Sequence, residues 1–278
     1  MVTRTWDGST PPLMVPLVDI PLSQLILIPL LAVALIPYSQ YFYDMDSNPA
    51  AVLLITLKNI SLFLVVYGGM HEISVRIPFI VAQKYLQGVH MDASSVQRDR
   101  RRTMLACCIG SVYETALYRI PGLIKIDPNP QSAFLVPFLL VLTTAVWVDF
   151  HFYLQHRLFH VEPLFKWFHS VHHQSYNPCV WSGLSFHPFE SVVYYSAILV
   201  VLVWPAGCIT HFNLTALKLI LDVSPVWGHI AVGGIAGGSY DHYLHHRLKD
   251  TNFGGTTLFD KLFGTWTASI EEHRQRKQ

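Results

Sequence analysis

Charge is what this sequence has least of: 13% of its 278 residues are Asp, Glu, Lys or Arg, about half the share a soluble domain carries. Together with 51% hydrophobic residues and a mean hydropathy of +0.35, the shortage excludes a disordered chain and an ordinary cytosolic domain. Neither sign is in surplus, because 19 Lys and Arg face 18 Asp and Glu for a net charge of +1. Such a chain has nothing with which to neutralise a phosphate backbone, and nucleic acid is excluded as a partner. The four cysteines, Cys107, Cys108, Cys179 and Cys208, lack C-x-x-C spacing and lie in or beside apolar runs. They read as buried hydrophobes and exclude a secreted disulfide scaffold. No phosphate-cradling glycine loop is present, since GGIAGG at Gly233–Gly238 lacks the G-x-G-x-x-G spacing and a preceding strand. The first fifteen residues lack a basic region followed by a cleavable apolar core, so the first apolar run is expected to anchor rather than to be removed. Internal repeats, low-complexity tracts and long linkers are likewise missing.

Long hydrophobic runs, by contrast, are plentiful. A span needs about 20 largely apolar residues. Leu22 to Tyr43, Val52 to Gly69 and Ala133 to Val148 qualify, as does the pair Ser191 to Cys208 and Leu214 to Ala236 around the polar turn Thr210 to Asn213. Leu105 to Ile124 is weaker because Glu114 and Arg119 must face protein or the interface. The expected fold is all-α, a polytopic membrane helical bundle with a histidine-rich metal-binding cap on its cytosolic side. Residues 1–104 are expected to supply N-terminal membrane helices and a basic loop, and residues 105–278 the histidine-bearing membrane domain. The basic clusters at Arg98–Arg102, Arg157 with Lys166, Arg247 with Lys249 and Lys261, and Arg274–Lys277 all fall on one side if two hairpins form, which makes that side cytosolic. Arg98–Arg102 is expected to be a solvated loop that sets topology.

Histidine is the other excess: fifteen residues, twelve of them between His151 and His246. His156 and His160 lie one turn apart on a helix leaving the bilayer, a geometry that makes a two-point clip. His169, His172 and His173 follow, and His242, His245 and His246 repeat the same i, i+3, i+4 spacing. A lone histidine on an apolar helix is ordinarily a hydrogen-bonded core residue, but eight in three clusters are too costly to bury unless they converge on cations. A zinc site takes about three or four protein ligands, so the set overfills one site and implies two metals. Imidazole suits iron, zinc, copper and nickel alike, and the Glu-x-x-His pattern of soluble di-iron bundles is missing. Clusters placed beside Arg157, Lys166 and Arg247 also fit haem poorly. His151 lies off the clip's face and is expected to support the ligands or the fold rather than to ligate, and His71, His90, His211 and His273 stand apart and are expected to be structural.

These residues resemble the fatty acid hydroxylase/sterol desaturase superfamily. The resemblance rests on HRLFH (His156–His160), HSVHH (His169–His173), DHYLHH (Asp241–His246), NFGG (Asn252–Gly255) and the ending FDKLFGTW (Phe259–Trp266), and it covers roughly Ala133 to Trp266. It implies a membrane oxidoreductase with a non-haem di-iron centre, zinc being possible in purified material, that uses O2 and two electrons to hydroxylate or desaturate an unactivated C–H bond. His156, His160, His169, His172, His173, His242, His245 and His246 match the family's histidine boxes. His229 falls where the family has a further ligand at the end of a membrane helix, and His187, in HPFE, either coordinates or supports the fold. Asp149, Glu190, Asp241 and Asn252 are placed to hydrogen-bond the imidazole N–H groups or to cap helices. The implied partners are an apolar lipid from the bilayer, with sterol or terpenoid rings slightly preferred over acyl chains, and an external electron donor such as cytochrome b5 or a reductase. The implied location is the endoplasmic reticulum with the metals facing the cytosol, or the inner membrane of a bacterium. The competing class is a membrane metal-ion transporter or metal-binding protein, which would instead place its ligands at mid-membrane along several spans.

Overall fold

The computed structural model describes residues 49–81, 92–124, 135–176, 178–204, 209–230 and 239–278. The expected span Leu22–Tyr43 and the glycine-rich stretch after His229 lie outside these. The described elements are helical: α1 (Pro49–Arg76), α2 (Ala93–Tyr118), α3 (Leu135–Phe159), α4 (Pro188–Tyr195), α5 (His211–His229), α6 (Ser239–Leu248), α7 (Thr257–Leu262) and α8 (Ile270–Arg276), with single turns and 3-10 segments between them. Helix α1 packs on α2, α2 on α4, α3 on α5, and α5 on α6.

Helix α1 exposes several apolar side chains and buries polar ones beside its apolar core residues. Leu53 and Val65 are 60% and 73% exposed, whereas Asn59 is buried. Asn59 Nδ2 donates to Glu114 at 2.8 Å and to Ser111 at 2.9 Å on α2, and Lys58 pairs with Glu114 at 2.5 Å. Apolar side chains facing outward and polar ones paired inward are what a helix needs where water cannot satisfy the inner groups. Residues Ala50–Arg76 of α1 are, among the described residues, the one helix counted as long and apolar enough to cross a membrane.

The other apolar runs fold with differences. Helix α2 starts at the Asp92 cap, whose side chain accepts from Ser95 N, and continues unbroken past the expected division at 104/105. Arg98–Arg102 is therefore helical rather than a free loop. Arg102 Nη1 donates to Val171 O and to Gln174 Oε1 at 3.3 and 3.0 Å, and the buried Asp99 accepts from Ser175 and Ser185 hydroxyls at 2.7 and 2.9 Å. The basic cluster thus grips the second histidine box. In place of a regular span from Ser191, α4 passes into a 3-10 segment, Ser196–Val203. The expected polar turn at Thr210–Asn213 is instead the start of α5, where Thr210 and Asn213 close a capping box. Helix α5 is buried along almost its whole length, so its apolar residues face protein on all sides. The main core joins α1, α2, α4 and α5 through Ile55, Phe63, Leu117, Tyr195, Leu217 and Leu221.

Candidate metal centre

Three elements deliver the clustered histidines to one end of this core. Helix α3 ends in His156 with His160 just beyond it. The HSVHH segment folds as a 3-10 helix, His169–Gln174, rather than an α-helix, and it keeps its three rings within 5.7 Å of one another by centroid. Helix α6 carries the third box.

Two groups result. His156, His160, His169, His173 and His245 form one, and His172, His229, His242 and His246 form the other, with the ligand atoms of each within 4.8 Å of one another. The boxes are divided between them: the second gives His169 and His173 to one group and His172 to the other, and the third splits His245 from His242 and His246. On α6 the i, i+4 pair shares a face, and His245 points to the side of it. His173 and His246, 4.8 Å apart by ring centroid, join the two groups.

The tautomers decide whether these groups fit metal ions. Four rings donate Nδ1–H to oxygen: His156 to Phe253 O at 2.6 Å, His245 to Thr251 O at 2.7 Å, His229 to Pro225 O at 2.9 Å, and His169 to Glu190 Oε1 at 2.5 Å. A neutral imidazole that donates from Nδ1 has a bare lone pair on Nε2. His229 Nε2 faces the Nε2 atoms of His242, His172 and His246 at 3.0, 3.3 and 3.4 Å, and His245 Nε2 faces that of His173 at 3.2 Å. The Nε2 atoms of His156 and His169 are buried with no partner at all. Charging the rings does not resolve the crowding, because burial holds the His156 ring down to about 4, and pushes His169, His172, His242, His245 and His246 well below the ordinary histidine range, with neighbouring imidazoles adding to the effect for the last five. Converging neutral lone pairs suit a cation in each group. Nitrogen-only donor sets are right for a borderline metal such as iron or zinc and wrong for calcium or magnesium.

One backbone turn supplies two of the anchoring carbonyls. Thr251 and Phe253 flank Asn252, which sits in the left-handed region at φ 53°, a conformation that asparagine tolerates. Its side chain does not reach an imidazole, as had been expected. Instead it accepts from Thr267 N at 2.8 Å and donates to the carbonyls of Thr267 and Asp241 at 3.0 and 3.3 Å, which fixes the turn. Asp149 likewise serves the loop rather than a ring, accepting from Thr256 N at 2.9 Å. Of Asp149, Glu190 and Asn252, Glu190 is the one whose side chain holds a ring nitrogen.

His187 lies outside both groups: its Nδ1 accepts from Phe189 N at 3.2 Å as the cap of α4, which leaves it a supporting role in the fold. His151 meets Ser196 Oγ at 3.1 Å, and His211 stacks on Tyr118. Asp260, not singled out from the sequence, accepts from Phe253 N, Gly254 N and the Thr265 hydroxyl at 2.8, 2.7 and 2.6 Å. Its position inside the FDKLFGTW ending is the signal that could have found it.

The fold and this pair of histidine groups define a helical protein with side chains that could hold metal. Residues 141–265 match the family model described as fatty acid hydroxylase. A Dictyostelium discoideum protein provisionally assigned as a methylsterol monooxygenase is 23% identical over 77% of this chain and 89% of its own length. A rice very-long-chain aldehyde decarbonylase is 31% identical over 53% of this chain and 59% of its own. The sphingolipid C4-hydroxylase of Saccharomyces cerevisiae is 27% identical over 50% and 44%. No solved structure is a significant match to the chain. Residues 141–265 are thus similar to the fatty acid hydroxylase/sterol desaturase superfamily, and the relatives carry names of lipid hydroxylases, desaturases and decarbonylases.

Proposed function

We propose that the chain is an O2-dependent, non-haem di-iron membrane oxidoreductase that hydroxylates or desaturates an apolar lipid, of sterol, terpenoid or fatty acyl type. The observation that carries this reading is the nine-imidazole pair of groups, together with the superfamily match across the residues that form them. His156, His160, His169, His173 and His245 would hold one ion, and His172, His229, His242 and His246 the other. When bound, the metals supply O2 activation and the oxidising power that no side chain has.

The protein's part is to hold, orient and dry. Carbonyls and Glu190 fix the tautomers, so every anchored ring presents a lone pair without a proton having to leave. Phe152, Phe165, Phe186 and Phe253 lie against His156, His160, His172 and His245 at ring-centroid distances of 4.9, 5.3, 5.0 and 5.4 Å, an apolar wall that keeps water from the centre. The outer face of α3 exposes Leu139, Leu142, Val146, Leu154 and Leu158 at helical spacing, which supports a lipid-facing surface running alongside the site. A polytopic arrangement, residence in the endoplasmic reticulum with the metals on the cytosolic side, and electron supply by a cytochrome b5-like protein or a reductase belong to the same reading.

The test is anaerobic purification with metal analysis, combined with lipid profiles of cells with and without the protein. Two irons per chain and an oxygenated or desaturated apolar lipid are expected. One zinc per chain, or metal flux across vesicles without lipid oxidation, would replace this reading with a metal transporter or storage protein.

A further inference from the structure

Helix α5 carries a proline in its interior, Pro225, four residues before His229. Proline has no N–H to give and crowds the carbonyl four residues back, so the break removes a donor at Leu221 and loosens the turn around it. In a buried helix that carbonyl must find a partner elsewhere.

Leu221 O finds it on a second helix, and the next carbonyl, Asp222 O, receives a further donor from a third. Tyr194 of α4 donates its hydroxyl to Leu221 O at 2.7 Å, and Tyr67 of α1 donates to Asp222 O, also at 2.7 Å. Both tyrosines are buried. The same turn is tied by its side chain, since Tyr195 donates to Asp222 Oδ1 at 2.9 Å and Lys218 pairs with the other oxygen. Just past the break, Pro225 O receives the His229 Nδ1–H. A third element closes on that carbonyl: a Cβ on Gly183 would come within 2.8 Å of Pro225 O, so the 3-10 turn Val180–Ser182 and the glycine after it abut the atom that orients the ring.

We propose that Tyr67 and Tyr194 are positioning residues that hold the proline break of α5 at the angle which aims His229 Nε2 into the four-histidine group, with Gly183 kept small so that the Pro225 carbonyl stays in place. The proposal rests on the reading of His229 as a metal ligand. It explains why hydroxyls from two separate helices converge on successive carbonyls at the break, a need that packing alone does not create.

The test uses the purified full chain, stripped of metal and titrated with cobalt(II) against a chelator, with ion count, affinity and the cobalt absorption bands as readouts. The wild type should take up two ions. Tyr67→Phe/Tyr194→Phe should keep one at unchanged affinity and bind the other about 10-fold or more weakly with altered bands, as loss of a ligand-orienting contact does. Pro225→Ala restores an N–H to Leu221, so adding Tyr194→Phe to it should change affinity less than twofold. Gly183→Ala, which leaves both tyrosines in place, should also weaken one ion, and it serves if the tyrosine variants do not fold. Equal weakening of both ions, wild-type binding in the double variant, or independent multiplication of the Tyr194→Phe and Pro225→Ala effects would overturn the positioning role. Retention of both ions by His229→Ala would instead remove the ligand reading beneath it.

Discussion

His169 Nδ1 donates to Glu190 Oε1 at 2.5 Å, and both residues are buried. The carboxylate sits in α4 and the ring in the second histidine box, so the bond ties the metal centre to the helical core. It also fixes the ring's tautomer and strengthens Nε2 as a donor. Glu190→Ala should weaken metal binding in the five-histidine group by about 10- to 100-fold, and Glu190→Gln, which keeps an acceptor oxygen, should do less. Chelator competition on the purified protein measures both.

The metal-free protein should lose stability as the medium is acidified. Its clustered rings titrate well below the ordinary value near 6.5 because burial disfavours the imidazolium, with His156 held down to about 4. The unfolded chain therefore takes up protons first. The stability tied to these rings is complete above about pH 6.5 and is lost as the pH falls toward the folded values. Melting temperatures of the stripped protein should stay level above about pH 7 and drop as the pH falls from about 6.5 toward 4, and a flat profile across that lower range would contradict the buried neutral state.

His172 and His187 should behave differently although both stand in histidine-bearing motifs. His172→Ala removes a ring from the four-histidine group and should abolish lipid turnover while the protein still inserts in membranes. His187→Ala removes a helix cap and should cost about 1 kcal/mol of stability with both ions retained. Metal counting beside thermal unfolding separates the two.

Asp260 should matter to the centre without touching it. Its two oxygens accept the amides of Phe253 and Gly254, and Phe253 O holds His156. Asp260→Ala leaves those buried N–H groups unpaired at a cost of about 1–3 kcal/mol each. Affinity in the five-histidine group should fall while the four-histidine group changes little, a contrast that graded chelator competition resolves.

How much of this was legible beforehand depended on whether a side chain or a backbone atom does the work. The clustered histidines could be read because side-chain chemistry is written in the sequence and helical spacing makes i and i+4 neighbours. The partition was not legible: nothing in HSVHH or DHYLHH says that each box straddles two groups, since that depends on how a 3-10 turn and α6 face one another. The anchoring carbonyls of Thr251, Phe253 and Pro225 were invisible for a simpler reason. Every residue has a carbonyl, and only the path of the chain decides which one meets a ring. The reach of Arg102 to the second box, where a loose basic loop was expected, came from α2 continuing through it.

The sequence by itself determined that this chain buries apolar helices and carries more imidazoles than one metal can use, because composition and short-range spacing are local properties that survive in any fold. Only the tertiary structure decided which rings share an ion, which tautomer each adopts, and that Asn252 and Asp149 shape loops while Glu190 holds a ring. Those outcomes depend on contacts between residues far apart in the chain, where a shift of an ångström or two decides whether a hydrogen bond exists.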